Sequence, residues 1–206
     1  MRRLIHVPIV HAASDLGSLS GPVRERYLGR FGPAGWNDRQ RAVEELWKGI
    51  RQDLERLRLD FSTLRIYQDG LPVCGFEEKI VTELAGAGSS NHQLVLDLVA
   101  RGATLMGTED PQLLIREYEM QKRQFPGQSG AQTTRGELSQ QAERLLEARD
   151  RFIVKRIDET LLPGETGLLF VGAAHRLVGL RSVDLAVKTL GEKPSGAGAD
   201  EPSSLR

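Results

Sequence analysis

Short apolar runs alternate along the chain with longer amphipathic segments. Leu4 to Val10 (LIHVPIV), Leu64 to Tyr67 (LRIY), Ala103 to Met106 (ATLM) and the run from Gly167 to Gly172 (GLLFVG) read as strands, with Val183 to Val187 as a last one. The GLLFVG run is apolar from end to end and bounded by glycines, the pattern of a strand buried on both faces of a parallel sheet. Pro8 lacks an N–H donor, so the first strand is expected at an edge or ending early.

Between these runs the apolar period changes to that of a helix. Pro22 to Tyr27 and Asn37 to Leu57 are helical, the second with Val43, Leu46, Trp47, Ile50, Leu54 and Leu57 on one stripe. A helix is expected over Glu77 to Ala85. Another starts at a Ser90 or Asn91 cap, carries Leu94, Val95, Leu98 and Val99, and stops at Gly102. Asp110 caps the next, with Pro111 at its first position. Glu137 to Leu162 turns Leu138, Ala142, Leu145, Leu146, Phe152, Ile153 and Ile157 inward. Strands alternating with helices imply right-handed crossovers and a mainly parallel sheet. The expected fold is a single α/β domain over 1–191, its sheet of four or five strands flanked by helices with long helical insertions. Phe125 to Gly136 is glycine- and serine-rich and reads as a mobile loop, a lid or a connection. Residues 192–206 have no apolar period and read as a disordered tail.

Composition narrows the partners. The 28 basic and 28 acidic residues of the 206 cancel, so no net field favours nucleic acid or acidic lipid. The N-terminus has two arginines but no apolar run after them, and no segment approaches the length of a transmembrane helix, so neither a signal peptide nor a membrane span is expected. Cys74 is the one cysteine, which excludes an intramolecular disulfide and a multi-cysteine zinc site and suits the cytoplasm. It is expected to be buried and inert. A small-molecule or peptide substrate is expected, and the long charged helices allow a homodimer.

The candidate chemistry lies at strand ends. In a parallel sheet the carboxyl ends share one edge, where open α/β sheets bind ligands. His11 follows the first strand, Asp69 the second, Glu109 the third and His175 the fourth. Two imidazoles and two carboxylates suit a divalent metal such as zinc, manganese, cobalt or iron. A carboxylate left off the metal serves as general base on water. Arg149 and Arg156 share a helix face, and one is a candidate anion clamp. His6 reads as packed in its strand, His92 as solvated in a first helical turn, and the 86–90 glycine-serine run as a connector.

Val7-Pro8-Ile9-Val10-His11 and Gly172-Ala173-Ala174-His175 together resemble the paired Gly-x-x-His motifs of TraB/Tiki-like proteins, which group with erythromycin-esterase-like and ChaN-like proteins. The run from Arg149 through Ile157, then Gly164 to His175, is similar to that family's arginine-led helix feeding its last histidine strand. Pro8 replaces the first motif's glycine, and Tyr67-Gln68-Asp69 replaces an acidic Glu-Leu-Asp type segment. Tyr67 to Gly75 is also similar to a stretch of uncharacterised bacterial proteins. The resemblance implies an α/β fold and a family that includes metal-dependent proteases, esterase-like hydrolases and haem-binding proteins. The leading expectation is therefore a metal-dependent hydrolase of ester, amide or phosphoester bonds. His11 and His175 would be ligands, Glu109 a ligand or base, Asp69 a ligand or orienting group, and Arg149 a clamp. The alternative is a non-catalytic protein binding a small metabolite or haem in the same crevice.

Overall fold

The computed structural model describes residues 1–12, 15, 20–123, 135–180 and 183–191. Five strands, β1 (Arg2–Ile9), β2 (Leu64–Gln68), β3 (Thr104–Met106), β4 (Thr166–Gly172) and β5 (Leu185–Thr189), form one sheet in the order β3-β2-β4-β1-β5. Every pairing is parallel. β4 is the centre: it pairs with β1 from Arg3↔Thr166 to Ile9↔Gly172 and with β2 from Leu64↔Thr166 to Gln68↔Phe170. Its apolar run is fully buried because a layer of helices covers each face.

Side-chain alternation divides the core. Leu168 and Phe170 point to one face, where they join Ile5, Val7, Ile9 and Ile66. That face is covered by α1 (Ser20–Arg56), α2 (Glu77–Gly86) and α3 (Ser90–Ala100), through Trp47, Ile50, Val81 and Val95 among others. Leu169 and Val171 point the opposite way, with Leu4 and Tyr67, onto Ile153 and Ile157 of α5 (Arg135–Thr160). α4 (Pro111–Lys122) packs on α5. The α/β fold with a parallel central sheet is thus present. The run expected as a last strand is shifted by two residues, and Val183 is fully exposed before it.

Two other expectations change. The segments read as separate helices are joined in α1, interrupted only at Gly32, whose φ of 68° and ψ of 178° are non-helical. A residue before proline avoids the helical region and glycine reaches positive φ, so Gly32-Pro33 bends the helix. Tyr27 then meets Trp36 edge-on across the bend, with ring centroids 5.6 Å apart. β1 is not an edge strand, since it lies between β4 and β5. Its even-numbered backbone groups face β5, as the bonds from Arg2 N–H to Asp184 O and from Leu190 N–H to His6 O require. β5 pairs no further than His6, so the missing N–H of Pro8 faces past its end. Most of the expected 125–136 loop and the whole 192–206 tail lie outside the described residues. No helix among the described residues is long and apolar enough to cross a membrane.

Candidate functional site

With β4 between β1 and β2, the carboxyl ends of all three open onto one crevice. Asp69, the residue after β2, is its hub. Asp69 Oδ2 accepts from Gly172 N–H (2.9 Å) and lies 3.1 Å from His11 Nε2 and 3.5 Å from His175 Nε2. Asp69 Oδ1 accepts from Arg149 Nη2 (2.8 Å). Gly172 allows this approach: a Cβ there would stand 3.3 Å from Asp69 Oδ2 and 3.6 Å from His11 Nε2. Asp69 and the two histidines foreseen from the sequence therefore meet around one carboxylate oxygen.

Glu109 and Arg149 come together with each other. Arg149 Nε and Nη2 grip both oxygens of Glu109, and Nη1 donates to Glu117 Oε2 (2.7 Å). Gly70 N–H donates to Glu109 Oε1 (2.7 Å), tying the loop after β2 to the loop after β3. The Glu109 side chain has no solvent exposure, and that of Arg149 only 6%. Such a fork-to-fork pair is geometrically specific. Burial opposes the guanidinium charge, but Glu109, Glu117 and Asp69 outweigh it and hold the proton more firmly than in a free arginine. Arg149 thus has its donors directed at carboxylates of this chain, and it orients Asp69. Arg156, the other clamp candidate, donates to Gly107 O.

His175 is held from the α5 side by Asp150, which sequence reading passed over. Asp150 Oδ1 lies 2.6 Å from His175 Nδ1, and Asp150 Oδ2 accepts from Arg176 N–H. Leu177, just beyond, has φ 44°, a left-handed conformation in a leucine, and its N–H also faces Asp150 Oδ2. Burial works against the imidazolium, yet Asp69 and Asp150 prevail and raise His175 to about 9. It is protonated at neutral pH, with a carboxylate facing each ring nitrogen. His11 is raised too: burial opposes its charge, and the bond to Asp69 with the charges of Asp69 and Asp15 overcomes this. Asp69 is driven well below the usual carboxylate range, because its two imidazole partners overcome burial.

The cluster floors a cavity of about 800 Å³. Its lining also includes Arg39 of α1, Asp15, Leu84 of α2 and His92 of α3, with Leu114 of α4 and Leu145 and Leu146 of α5 on the other side of the sheet. Arg39 Nη2 donates to His11 O (3.1 Å) and the guanidinium lies over the Tyr27 ring. Against expectation, His92 is buried: Ser89 caps α3 and its Oγ bonds His92 Nδ1 (2.7 Å) and Asp15 Oδ1. Burial lowers His92 and favours its neutral form. His6 is half-buried. Cys74, expected inside, is exposed and outside this cluster.

The metal reading can be tested on the donors. Separations near 3.1 and 3.5 Å between two imidazole nitrogens and a carboxylate oxygen are compatible with a shared ion. Glu109, however, is spent on Arg149 and Gly70, and Asp69 Oδ2 already accepts from Gly172. Among the described residues no group of three or more His, Cys, Asp or Glu side chains is arranged to hold an ion. The four-donor set therefore does not fit in this arrangement. Compared with protein-family models, curated proteins and solved structures, the chain matches none of them.

Proposed function

We propose that this protein is a hydrolase of ester, amide or phosphoester bonds that works by histidine acid–base chemistry. The observation that carries the reading is the convergence of two imidazoles on one buried carboxylate oxygen at the floor of a substrate-sized cavity. In its neutral form His11 takes a proton from water as the water oxygen attacks the carbonyl carbon or phosphorus. Asp69 stabilises the imidazolium so formed, as the acid of a catalytic triad does. The His175 imidazolium, with a carboxylate at each ring nitrogen, holds Asp69 ionised and in place beside His11. His11 then returns the proton to the leaving group as the bond to carbon or phosphorus breaks. Positioned acid–base transfer of this kind contributes about 10²–10⁴ in rate. Asp150 and Arg149 are positioning residues: one holds the His175 ring and the other holds Asp69.

The test is turnover of chromogenic ester, anilide and phosphoester probes by the untagged protein. At least one class should turn over, and His11→Gln should reduce it about 100-fold or more with the thermal transition preserved. Absence of turnover with all three classes overturns the reading. So does activity abolished by chelator and restored by manganese, cobalt or zinc, which would assign the chemistry to a bound ion.

A further inference from the structure

The cavity is asymmetric in a way that selects its ligand. Its carboxylates, Asp15, Asp69 and Glu117, are engaged by the protein; Glu117, on α4, accepts from Arg149 Nη1 and is 28% exposed. Asp15 accepts from Ala12 N–H and from Ser89 Oγ, and Asp69 is enclosed by His11, Gly172 and Arg149. The Asp15 and Asp69 side chains are at most 5% exposed. The basic groups are more open: the His11 side chain is 35% exposed, and Arg39 is half-buried. A guanidinium has five N–H donors. Arg39 uses one on His11 O, and the others have no hydrogen-bond partner among the described residues. Tyr27, stacked on the guanidinium, fixes its direction. The opposite wall, between α4 and α5, offers Leu114, Leu145 and Leu146. Arg149, the clamp expected from the sequence, is committed to Glu109, Glu117 and Asp69.

From this charge arrangement we infer that the ligand is an anionic amphiphile, a carboxylic acid with an apolar chain. Its carboxylate pairs with Arg39 and its chain lies between α4 and α5. The cavity volume, about 800 Å³, falls in the range of roughly 300–1,000 Å³ that takes whole small ligands. This rests on the hydrolase reading only in placing the ligand: the acid released from an acyl ester or amide has this chemistry. Binding itself needs no turnover.

The experiment is calorimetric titration of the full chain with acetate, hexanoate, decanoate and decylammonium, below their micelle concentrations. Affinity should rise about fourfold per methylene, so that decanoate exceeds hexanoate by about 250-fold. Decylammonium should bind at least tenfold more weakly than decanoate. Arg39→Gln should lower decanoate affinity tenfold or more, with Arg39→Lys recovering part of it. Leu145→Glu, at the apolar end, should abolish binding and so provides a variant remote from α1. Equal binding of decanoate and decylammonium, no binding of either, or no effect of Arg39→Gln in a folded variant each overturns the inference. Discriminating decanoate binding without hydrolysis of any probe leaves it standing and overturns the hydrolase. Hydrolysis without carboxylate discrimination does the reverse.

Discussion

Replacing Arg149 by methionine removes the cation from a buried cluster and leaves its carboxylates behind. The Glu109 side chain is wholly inaccessible and that of Asp69 is 5% exposed, so neither recovers hydration when the guanidinium goes. Breaking a buried pair in this way typically costs about 3–5 kcal/mol. For a chain of this size each kcal/mol moves the thermal midpoint by roughly 2–4 °C, so Arg149→Met should melt about 6–20 °C lower. Urea unfolding at pH 7, followed by circular dichroism, gives the free energy directly, with an unchanged m-value confirming that two-state behaviour survives. Removing both charges is a different matter. Arg149→Met with Glu109→Leu substitutes apolar volume for the central pair and should recover more than half of the loss. Glu117 supplies the control: it is 28% exposed, and Glu117→Gln should cost no more than about 1 kcal/mol. A loss below about 1 kcal/mol in Arg149→Met, or strict additivity in the double variant, refutes the idea that this cluster is an enclosed charge network.

Other outcomes follow from the same geometry. His175 is raised from 6.5 to about 9, so its stabilisation is complete below pH 6.5 and disappears as the pH rises through about 9. By the usual 1.4 kcal/mol per unit this is roughly 3 kcal/mol, and urea unfolding of the protein and of His175→Gln from pH 6 to 10 should show the gap closing; a constant gap contradicts it. Hydrolysis should follow a bell-shaped pH profile, rising as His11 loses its proton and falling near pH 9 with His175; a profile flat through pH 9 removes His175 from the reaction. Gly172→Ala should slow turnover while shifting the melting temperature by only a few degrees, because the new methyl meets Asp69 Oδ2 at 3.3 Å and His11 Nε2 at 3.6 Å. Gly107→Ala is the converse, since its Cβ would lie 2.7 Å from Val73 Cα and 2.9 Å from Pro72 O, and a cost of about 1–3 kcal/mol should appear in the same unfolding assay. Pro8→Ala should stay within about 0.5 kcal/mol, its N–H facing past the end of β5; a larger gain would mean that a ladder partner had been missing.

The sheet and three members of the central cluster were legible because periodicity and topology act locally and then at one edge. A buried parallel strand announces itself by an unbroken apolar run, and the residue after it must emerge at the carboxyl edge; this rule alone placed Asp69 and His175. Partner choice was not legible. Glu109 and Asp69 look equivalent as strand-end carboxylates, and only the approach of α5, 40 and 80 residues further on, makes one the two-oxygen partner of Arg149 and the other a carboxylate shared between Arg149 and the imidazoles. Asp150 had a signal, as an acid beside Arg149 on the helix that leads into the histidine strand. Arg39 had none, since it is one of several charges on α1. The Gly32-Pro33 dipeptide was a readable breaker. His92 misled because a first-turn position suggests solvent, whereas Ser89 turns inward to cap the helix and takes the imidazole with it.

The central position of β4 also fixes when the protein can acquire its shape. β1 and β2 never pair with each other; each finds its inner neighbour only in β4, across 163 residues for Arg3↔Thr166 and 102 for Leu64↔Thr166. During synthesis both therefore wait with an open edge until residue 172 has left the ribosome, and open apolar edges recruit other chains. Loop closures of this length slow folding. Chains truncated before β4 should accumulate in aggregates, whereas β5, paired along one side of β1 only, can be lost with the sheet centre intact. The histidine that completes the cluster lies three residues beyond the strand that joins β1 to β2, so no chain lacking β4 carries an assembled cluster.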